Sequence, residues 1–415
     1  MNHLHRKDRR LFLEEVSLEE LARLYGTPLY VYSLAALSEA YGRYEQALAG
    51  LPHLICYAVK ANGSLAILQH FARLGAGFDI VSGGELARVL AAGGEAGKVV
   101  FSGVGKTAAE MRMALEAGIR CFNVESESEL ERLNRVAGEL GRRAPVSFRV
   151  NPDVDPKTHP YISTGLRQNK FGVPISQAPA LYRRAVEMAN VEIQGVDCHI
   201  GSQLTDLSPV ADALDRVLAL VDSLAADGIK LRHIDIGGGI GIRYRDETPP
   251  DMAQYREILQ SRFSGRREEI IVEPGRSLVG EAGVLLTRVE YIKPGEDKTF
   301  VIVDAAMNDL MRPALYDAFH DIVPVAESSR PLIACDVVGP VCETGDFLGL
   351  GRHLAVEEGG LLAVLSAGAY GMSMSSNYNS RPRAAEVVVN KNEIHLVRER
   401  ENMEGLMAGE RLVSW

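Results

Sequence analysis

What this 415-residue sequence has little of narrows its function first: one tryptophan, five cysteines without CxxC spacing, and no excess of positive charge. The cysteines (Cys56, Cys121, Cys198, Cys335 and Cys342) are odd in number and scattered, which argues against a disulfide framework and a zinc site, so no metal is expected. Apolar runs such as VLLTRVEYI and LLAVLSAGAYG are broken by polar residues or glycine before they reach the length of a membrane span. The start, MNHLHRKDRR, is basic but leads into LFLEEVSLEELARLYG, acidic where a signal peptide is apolar, so a cytoplasmic protein is expected. A net charge of -10 leaves no basic face for a phosphate backbone, so neither nucleic acid nor membrane is an expected partner. Small anions are not excluded, because one local arginine can hold them. Solenoid repeats and low-complexity segments are absent too.

What is there is an ordinary globular composition, 46% hydrophobic and 24% charged, at a length that suggests two domains. From about residue 53, short β-rich runs alternate with helical patterns: HLICYAVKAN, GFDIVS, KVVFSG, CFNVES, PVSFRVNP, VEIQGVDCHIG, HIDIGGG and EIIVEPGRS. About eight such units imply parallel strands with right-handed crossovers and the size of a closed (β/α)8 TIM-like barrel; an open doubly wound sheet is the competing architecture. The stretch NPDVDPKTHPYISTGLRQNKFGV is long, polar and proline-interrupted, which suits a functional loop. After about residue 280, runs such as GVLLTRVEYIKP, KTFVIVDAA and AAEVVVNKNEIHLVRER are separated by turns, as in a mainly antiparallel β domain. The strand-like LYVYS is expected to join it. The expected division is a barrel over 36–280 and a β-rich domain from 1–35 and 281–415 that completes the active site.

Barrels of this kind carry function at the carboxyl ends of their strands, and the residues collected there are informative as a set. Lys60 follows the apolar CYAV run; a strand-end lysine is ordinarily a solvated charge, but an amine held in a barrel mouth is made nucleophilic toward an aldehyde by desolvation. His199 in CHIGSQ is either a satisfied core histidine or a flat ring for stacking. Gly237, Gly238 and Gly239 are either plain punctuation or a turn whose N–H groups approach an anion, with Ser202 and Gly275–Arg276 as company. Glu273, next to Arg276 in EPGRS, is either half of a salt bridge or a carboxylate aimed at a ligand. A phosphate cradle, an amine, a flat ring and one carboxylate together describe the needs of pyridoxal 5'-phosphate. A carboxylate beside the pyridine nitrogen keeps it protonated, which favours decarboxylation over the restrained chemistry of a racemase. In the β-rich part, MRPALY offers Arg312 and Tyr316, AGAYG offers Tyr370, and CETGD sets Cys342 beside Glu343, where a thiol among carboxylates suits a proton donor better than a nucleophile.

YAVKAN, FDIVSGGEL, HPYISTG, KFG, CHIGSQ, DIGGG, EPGRS, MRPALY, CETGD and AGAYG occur here in the order seen in diaminopimelate decarboxylases, and from about residue 10 onward the sequence resembles that family of alanine-racemase-like (fold-type III) pyridoxal enzymes. YAVKAN, GGG and EPGR are shared with ornithine and arginine decarboxylases, whereas HPYISTG and MRPALY are specific to the diaminopimelate branch. Thr344 stands where the family more often has serine. The resemblance implies that Lys60 bonds the cofactor, with His199 stacked on its ring and Glu273 at its nitrogen. Asp79, Ser202, Gly237, Gly238, Gly239, Gly275, Arg276 and Tyr370 complete the cofactor site. It further implies that Arg276, Arg312 and Tyr316 grip the substrate's distal carboxylate and Glu343 its distal ammonium, that Tyr370 also binds substrate, and that Cys342 donates a proton in the partner subunit of a homodimer. The expected reaction turns meso-2,6-diaminopimelate into L-lysine and CO2. The alternatives are a related decarboxylase of ornithine, arginine or a carboxylated polyamine, a racemase of the same fold, and a non-catalytic pyridoxal-phosphate carrier.

Overall fold

The structure, a computed structural model, describes residues 3–154 and 170–415, so HPYISTG and most of the polar stretch around it lie outside the described residues. Contacts divide the chain into two compact units. One contains Ala40–Ile242 and Thr248–Leu278; the other gathers the amino-terminal residues through Glu39, Arg243–Glu247 and Val279–Trp415.

In the first unit, eight parallel strands follow one another round a ring: His53–Ala58, Gly77–Ile80, Val99–Phe101, Cys121–Val124, Ala144–Asn151, Val191–Asp197, His233–Asp235 and Glu269–Val272. The last pairs with the first, Ile270 opposite His53, which closes the barrel and removes both sheet edges. The open-sheet alternative is thereby excluded. Several helices start from side-chain caps in the loops that follow the strands. Ser82 and Ser126 accept from the backbone N–H three residues on, and Thr107 forms a reciprocal capping box with Glu110. The helix Leu34–Leu48 precedes the first strand, and its Tyr41 and Tyr44 pack on Phe71 and Tyr255 of the helices Leu65–Arg73 and Met252–Phe263. It therefore fills the gap in the outer ring that the short Arg276–Val279 helix does not.

Period-two alternation decides what the barrel interior contains. Leu54, Cys56, Val100, Cys121 and Ile271 form an apolar floor. Two residues further along the same faces, Asn123 follows Cys121 and Glu273 follows Ile271, so the lining turns from apolar to polar as the strands climb toward their carboxyl ends.

The second unit is a mainly antiparallel sheet, as its sequence texture implies. The 12-residue strand Gly283–Pro294 is its spine, pairing antiparallel with Leu29–Ser33, Leu361–Val364 and Thr299–Val303. Leu29–Ser33 lies between it and Ala385–Asn390, which confirms LYVYS as a strand of this sheet. Alternate residues Leu29, Val31, Val284, Leu286, Val387 and Val389 build one core face. On the other face Tyr30 donates to the Asp309 carbonyl and Tyr32 to Glu386, each at 2.7 Å, so both buried phenols are satisfied. Among the described residues no helix is long and apolar enough to cross a membrane.

Candidate active site

The barrel unit brings together every residue singled out on its strand ends. Lys60 follows the first strand, and its Nζ lies 2.5 Å from Asp79 Oδ2, the carboxylate of the second. Its side chain keeps 39% exposure, and the aspartate that holds it is wholly buried. Arg276 Nη2 donates to Ser202 Oγ at 3.0 Å, joining the two residues assigned to an anion. A Cβ on Gly275 would stand 3.1 Å from those of Ala58 and Ala61, which places this glycine against the segment carrying Lys60.

The triple glycine is required by its neighbours. Gly237 and Gly239 have φ of 67° and 107°, and a Cβ on Gly238 would collide with the Glu273 carbonyl. Two of the turn's three N–H groups are committed inside the protein, Gly237 to Asp235 Oδ1 at 2.9 Å and Gly238 to His199 Nδ1 at 3.1 Å. This narrows the turn's role as an anion cradle and gives it another, because accepting at Nδ1 leaves the His199 proton on Nε2. Burial pushes the His199 pKa well down, and the charges of Arg149 and Lys60 add to this. The ring is neutral, as a stacking partner for an aromatic cofactor should be.

Glu273 is buried and does not stand alone. Its Oε1 accepts long hydrogen bonds from Ser102 Oγ (3.4 Å) and Asn123 Nδ2 (3.5 Å). One oxygen each from Asp197, Asp235 and Glu273 lies within 4.8 Å of the others. Burial raises Glu273 well above the usual carboxylate range, Asp235, Asp79 and Asp197 raise it further, and Lys60 opposes them. Asp235 is pushed up to about 7, chiefly by burial, while contact with Glu273 pulls it down. Carboxyls packed this closely and buried this deeply favour keeping a proton. Arg149 provides the compensating charge, bonding Glu125 at 3.4 Å and facing Asp197 at 3.9 Å. The sequence reading had one carboxylate here and missed Asp197, Asp235 and Arg149. A signal was available: Asp197 and Asp235 are the last residues of their strands, and Asp197 is two positions before His199.

The β unit carries the other candidates. Arg312 opens the short helix Arg312–Tyr316 and is buried, not solvated. Its guanidinium lies over the Tyr244 ring at 4.5 Å and donates to His320 Nε2 at 2.7 Å. Neither Tyr244 nor His320 was legible as a site residue. Tyr316 ends the same helix, half-buried. Cys342 is exposed while the other four cysteines are buried, and its backbone N–H donates to Asn379 Oδ1 at 2.9 Å. Glu343, also exposed, accepts from the Tyr378 hydroxyl at 2.9 Å. Tyr370 has φ of 56° in a turn whose small residues are needed for packing: a Cβ on Gly368 would strike the Val279 carbonyl, and one on Gly371 the Tyr30 hydroxyl.

A closed barrel with a strand-end lysine, a neutral buried imidazole and a proton-holding carboxyl defines a pyridoxal-phosphate enzyme of the barrel class. Residues 34–280 match the family described as pyridoxal-dependent decarboxylase, pyridoxal binding domain. The diaminopimelate decarboxylase of Pseudomonas aeruginosa is 61% identical over 407 residues, covering 98% of each chain. That of Neisseria meningitidis serogroup B is 60% identical over 400 residues, covering 96% of this chain and 97% of its own. The crystal structure of diaminopimelate decarboxylase from Helicobacter pylori complexed with L-lysine superposes with a TM-score of 0.91 at 45% identity, covering 94% of this chain and 98% of the other. The chain belongs to the diaminopimelate decarboxylase family of pyridoxal-dependent enzymes. Its residues fit that cofactor on their own chemistry: the amine and the guanidinium suit an aldehyde and a phosphate, and the Asp235–Glu273 pair is a buried proton store of the kind a ring nitrogen draws on.

Proposed function

We propose that the protein decarboxylates meso-2,6-diaminopimelate to L-lysine and CO2, the last step of lysine biosynthesis. The observation that carries the choice of substrate is the buried guanidinium of Arg312. A substrate with an amino-acid group at both ends needs a cation for its distal carboxylate, whereas the lone distal ammonium of ornithine would be repelled. Full-length likeness to diaminopimelate decarboxylases supports the same reading.

When bound, pyridoxal phosphate supplies a ring that takes up the electron pair left as CO2 departs. Lys60 holds the cofactor through its amine. Ser202, Gly237–Gly239, Gly275, Arg276 and Tyr370 receive the phosphate end, and Asp79 stays beside the lysine. His199 offers a neutral face to the ring, and Glu273 keeps a proton at its carboxyl for the ring nitrogen. Arg276, Arg312 and Tyr316 orient the distal carboxylate, Glu343 the distal ammonium, and Tyr370 also borders the substrate. Cys342 delivers a proton to the carbon that has lost CO2, so one C–C bond is replaced by one C–H bond. Its exposure within a single chain supports a homodimer with shared active sites, in which a partner subunit covers the thiol.

The test is CO2 release from meso-diaminopimelate compared with its other stereoisomers, ornithine and arginine. Release from the meso isomer alone is expected; turnover of ornithine or arginine in its place overturns the assignment.

A further inference from the structure

We propose that His320 is a positioning residue for Arg312, and through it a determinant of how tightly the distal carboxylate is held. The proposal rests on the reading of Arg312 as the group that meets that carboxylate.

The argument is a proton inventory. His320 is wholly buried. Its Nδ1 lies 2.8 Å from the Leu365 carbonyl oxygen, and a carbonyl only accepts, so Nδ1 carries the proton. Its Nε2 lies 2.7 Å from Arg312 Nη1, and a guanidinium only donates, so Nε2 presents its lone pair. One form of the ring satisfies both contacts, the neutral Nδ1–H tautomer. Protonation would put a hydrogen on Nε2 facing Arg312, and the other tautomer would set two acceptors together at Leu365.

The ring is itself fixed from a second side. Its plane meets Tyr244 edge-on, with centroids 5.2 Å apart at 77°, and the Tyr244 face lies 4.5 Å from the Arg312 guanidinium. Arg352 Nη2 donates to the His320 carbonyl at 2.8 Å, anchoring its backbone. Arg312 is thus aimed by a lone pair at one edge and a π face below, both of them uncharged. A carboxylate at position 320 would orient the guanidinium equally well but would also neutralise it, taking the charge that the substrate carboxylate needs. A neutral imidazole orients the arginine without itself cancelling the charge.

The experiment compares two ligands of the cofactor-loaded enzyme. L-Lysine, the product, keeps the distal carboxylate; 1,5-diaminopentane lacks it. In His320→Leu the affinity for L-lysine and the KM for diaminopimelate should weaken by roughly ten-fold or more, as loss of a hydrogen bond to a charged group implies. Affinity for 1,5-diaminopentane should hold, and kcat should fall less than KM rises. His320→Gln, which keeps an acceptor where Nε2 stands, should restore most of the lysine affinity; His320→Asn, too short to reach Arg312, should not. Should His320→Leu fail to fold, the Gln and Asn pair decides alone. Equal weakening of both ligands, or indifference of lysine affinity to Gln versus Asn, overturns the proposal. Arg312→Ala separates the two readings: if it leaves lysine binding intact, the role of Arg312 is wrong. If it abolishes lysine binding while His320→Leu does not weaken it, only the inference about His320 fails.

Discussion

Asp235 and Glu273 bring carboxyl oxygens within 4.8 Å of each other above the barrel's apolar floor, and burial holds both above the usual carboxylate range. Burial is the largest cause for both; Asp235 pushes Glu273 up further, whereas contact with Glu273 pulls Asp235 down. The sign for stability follows. An unfolded aspartate ionises near pH 4, whereas native Asp235 holds its proton to about 7, so over this window unfolding releases a proton. The contribution of Asp235 therefore falls as pH rises from about 4 to about 7 and is level above. Asp235→Asn keeps a hydrogen-bond donor without the titration. Its stability relative to the parent should increase between pH 5 and pH 7 in urea unfolding, and a pH-independent difference would show that the proton is not held there.

Glu273→Gln tests the catalytic side of the same pair. Glutamine keeps the shape and a donor but cannot give up a proton. Cofactor should remain bound, and kcat should drop by about a hundred-fold or more, within the usual range for losing a positioned acid. Wild-type kcat in this variant would remove Glu273 from the chemistry.

Lys60→Ala separates attachment from binding. After borohydride reduction the parent should gain the mass of the cofactor on the peptide carrying Lys60, and the variant should not. A cofactor fixed elsewhere in the chain would refute the assignment. Asp79, left without its ion pair at 0% side-chain exposure, should also cost the variant stability.

Gly238→Ala places a methyl group against the Glu273 carbonyl. Overpacking of this kind costs roughly 1–3 kcal/mol, and the strain falls on the residue that holds the proton. Lower thermal stability together with weaker cofactor retention is expected. A fully active, equally stable variant would mean that the turn has more freedom than its contacts imply.

His233 gives the opposite pH dependence, with burial and then the charge of Arg120 bringing its imidazole down to about 3. Between about pH 6.5 and 3 the unfolded chain takes up a proton that the native state refuses, so this contribution to stability is lost as pH falls. The group can remove up to ~1.4 kcal/mol per pH unit in that window. His233→Gln should flatten the acid side of the stability profile; an unchanged slope would show that His233 is not the group responsible.

The barrel was legible because each of its strands carries a local mark, an apolar run ending in a glycine, lysine, histidine or serine. Gly283–Pro294 was likewise a strand on its face. What the sequence hid are relationships between distant residues. Nothing in the pattern of Leu34–Leu48 says that this helix docks against Leu65–Arg73 and Met252–Phe263 in the ring; the contacts of Tyr41 and Tyr44 decide it. Arg312 stood out in MRPALY, but its aim depends on Tyr244, far back in the chain, and on a tautomer of His320 fixed by Leu365. Asp197 and Asp235 stood at the ends of their strands, and only the closed ring brings them to Glu273.

The position of Leu29–Ser33 in its sheet has a consequence for how the protein is made. Its five residues are all buried in the finished sheet, between partners that begin at Gly283 and Ala385. On a ribosome adding about 5–20 residues per second, the strand emerges tens of seconds before either partner exists. During that time the barrel can be translated in full, while an apolar ribbon with two open edges waits beside it. The nascent chain is therefore most prone to wrong pairing near its beginning, and a holding chaperone would act there.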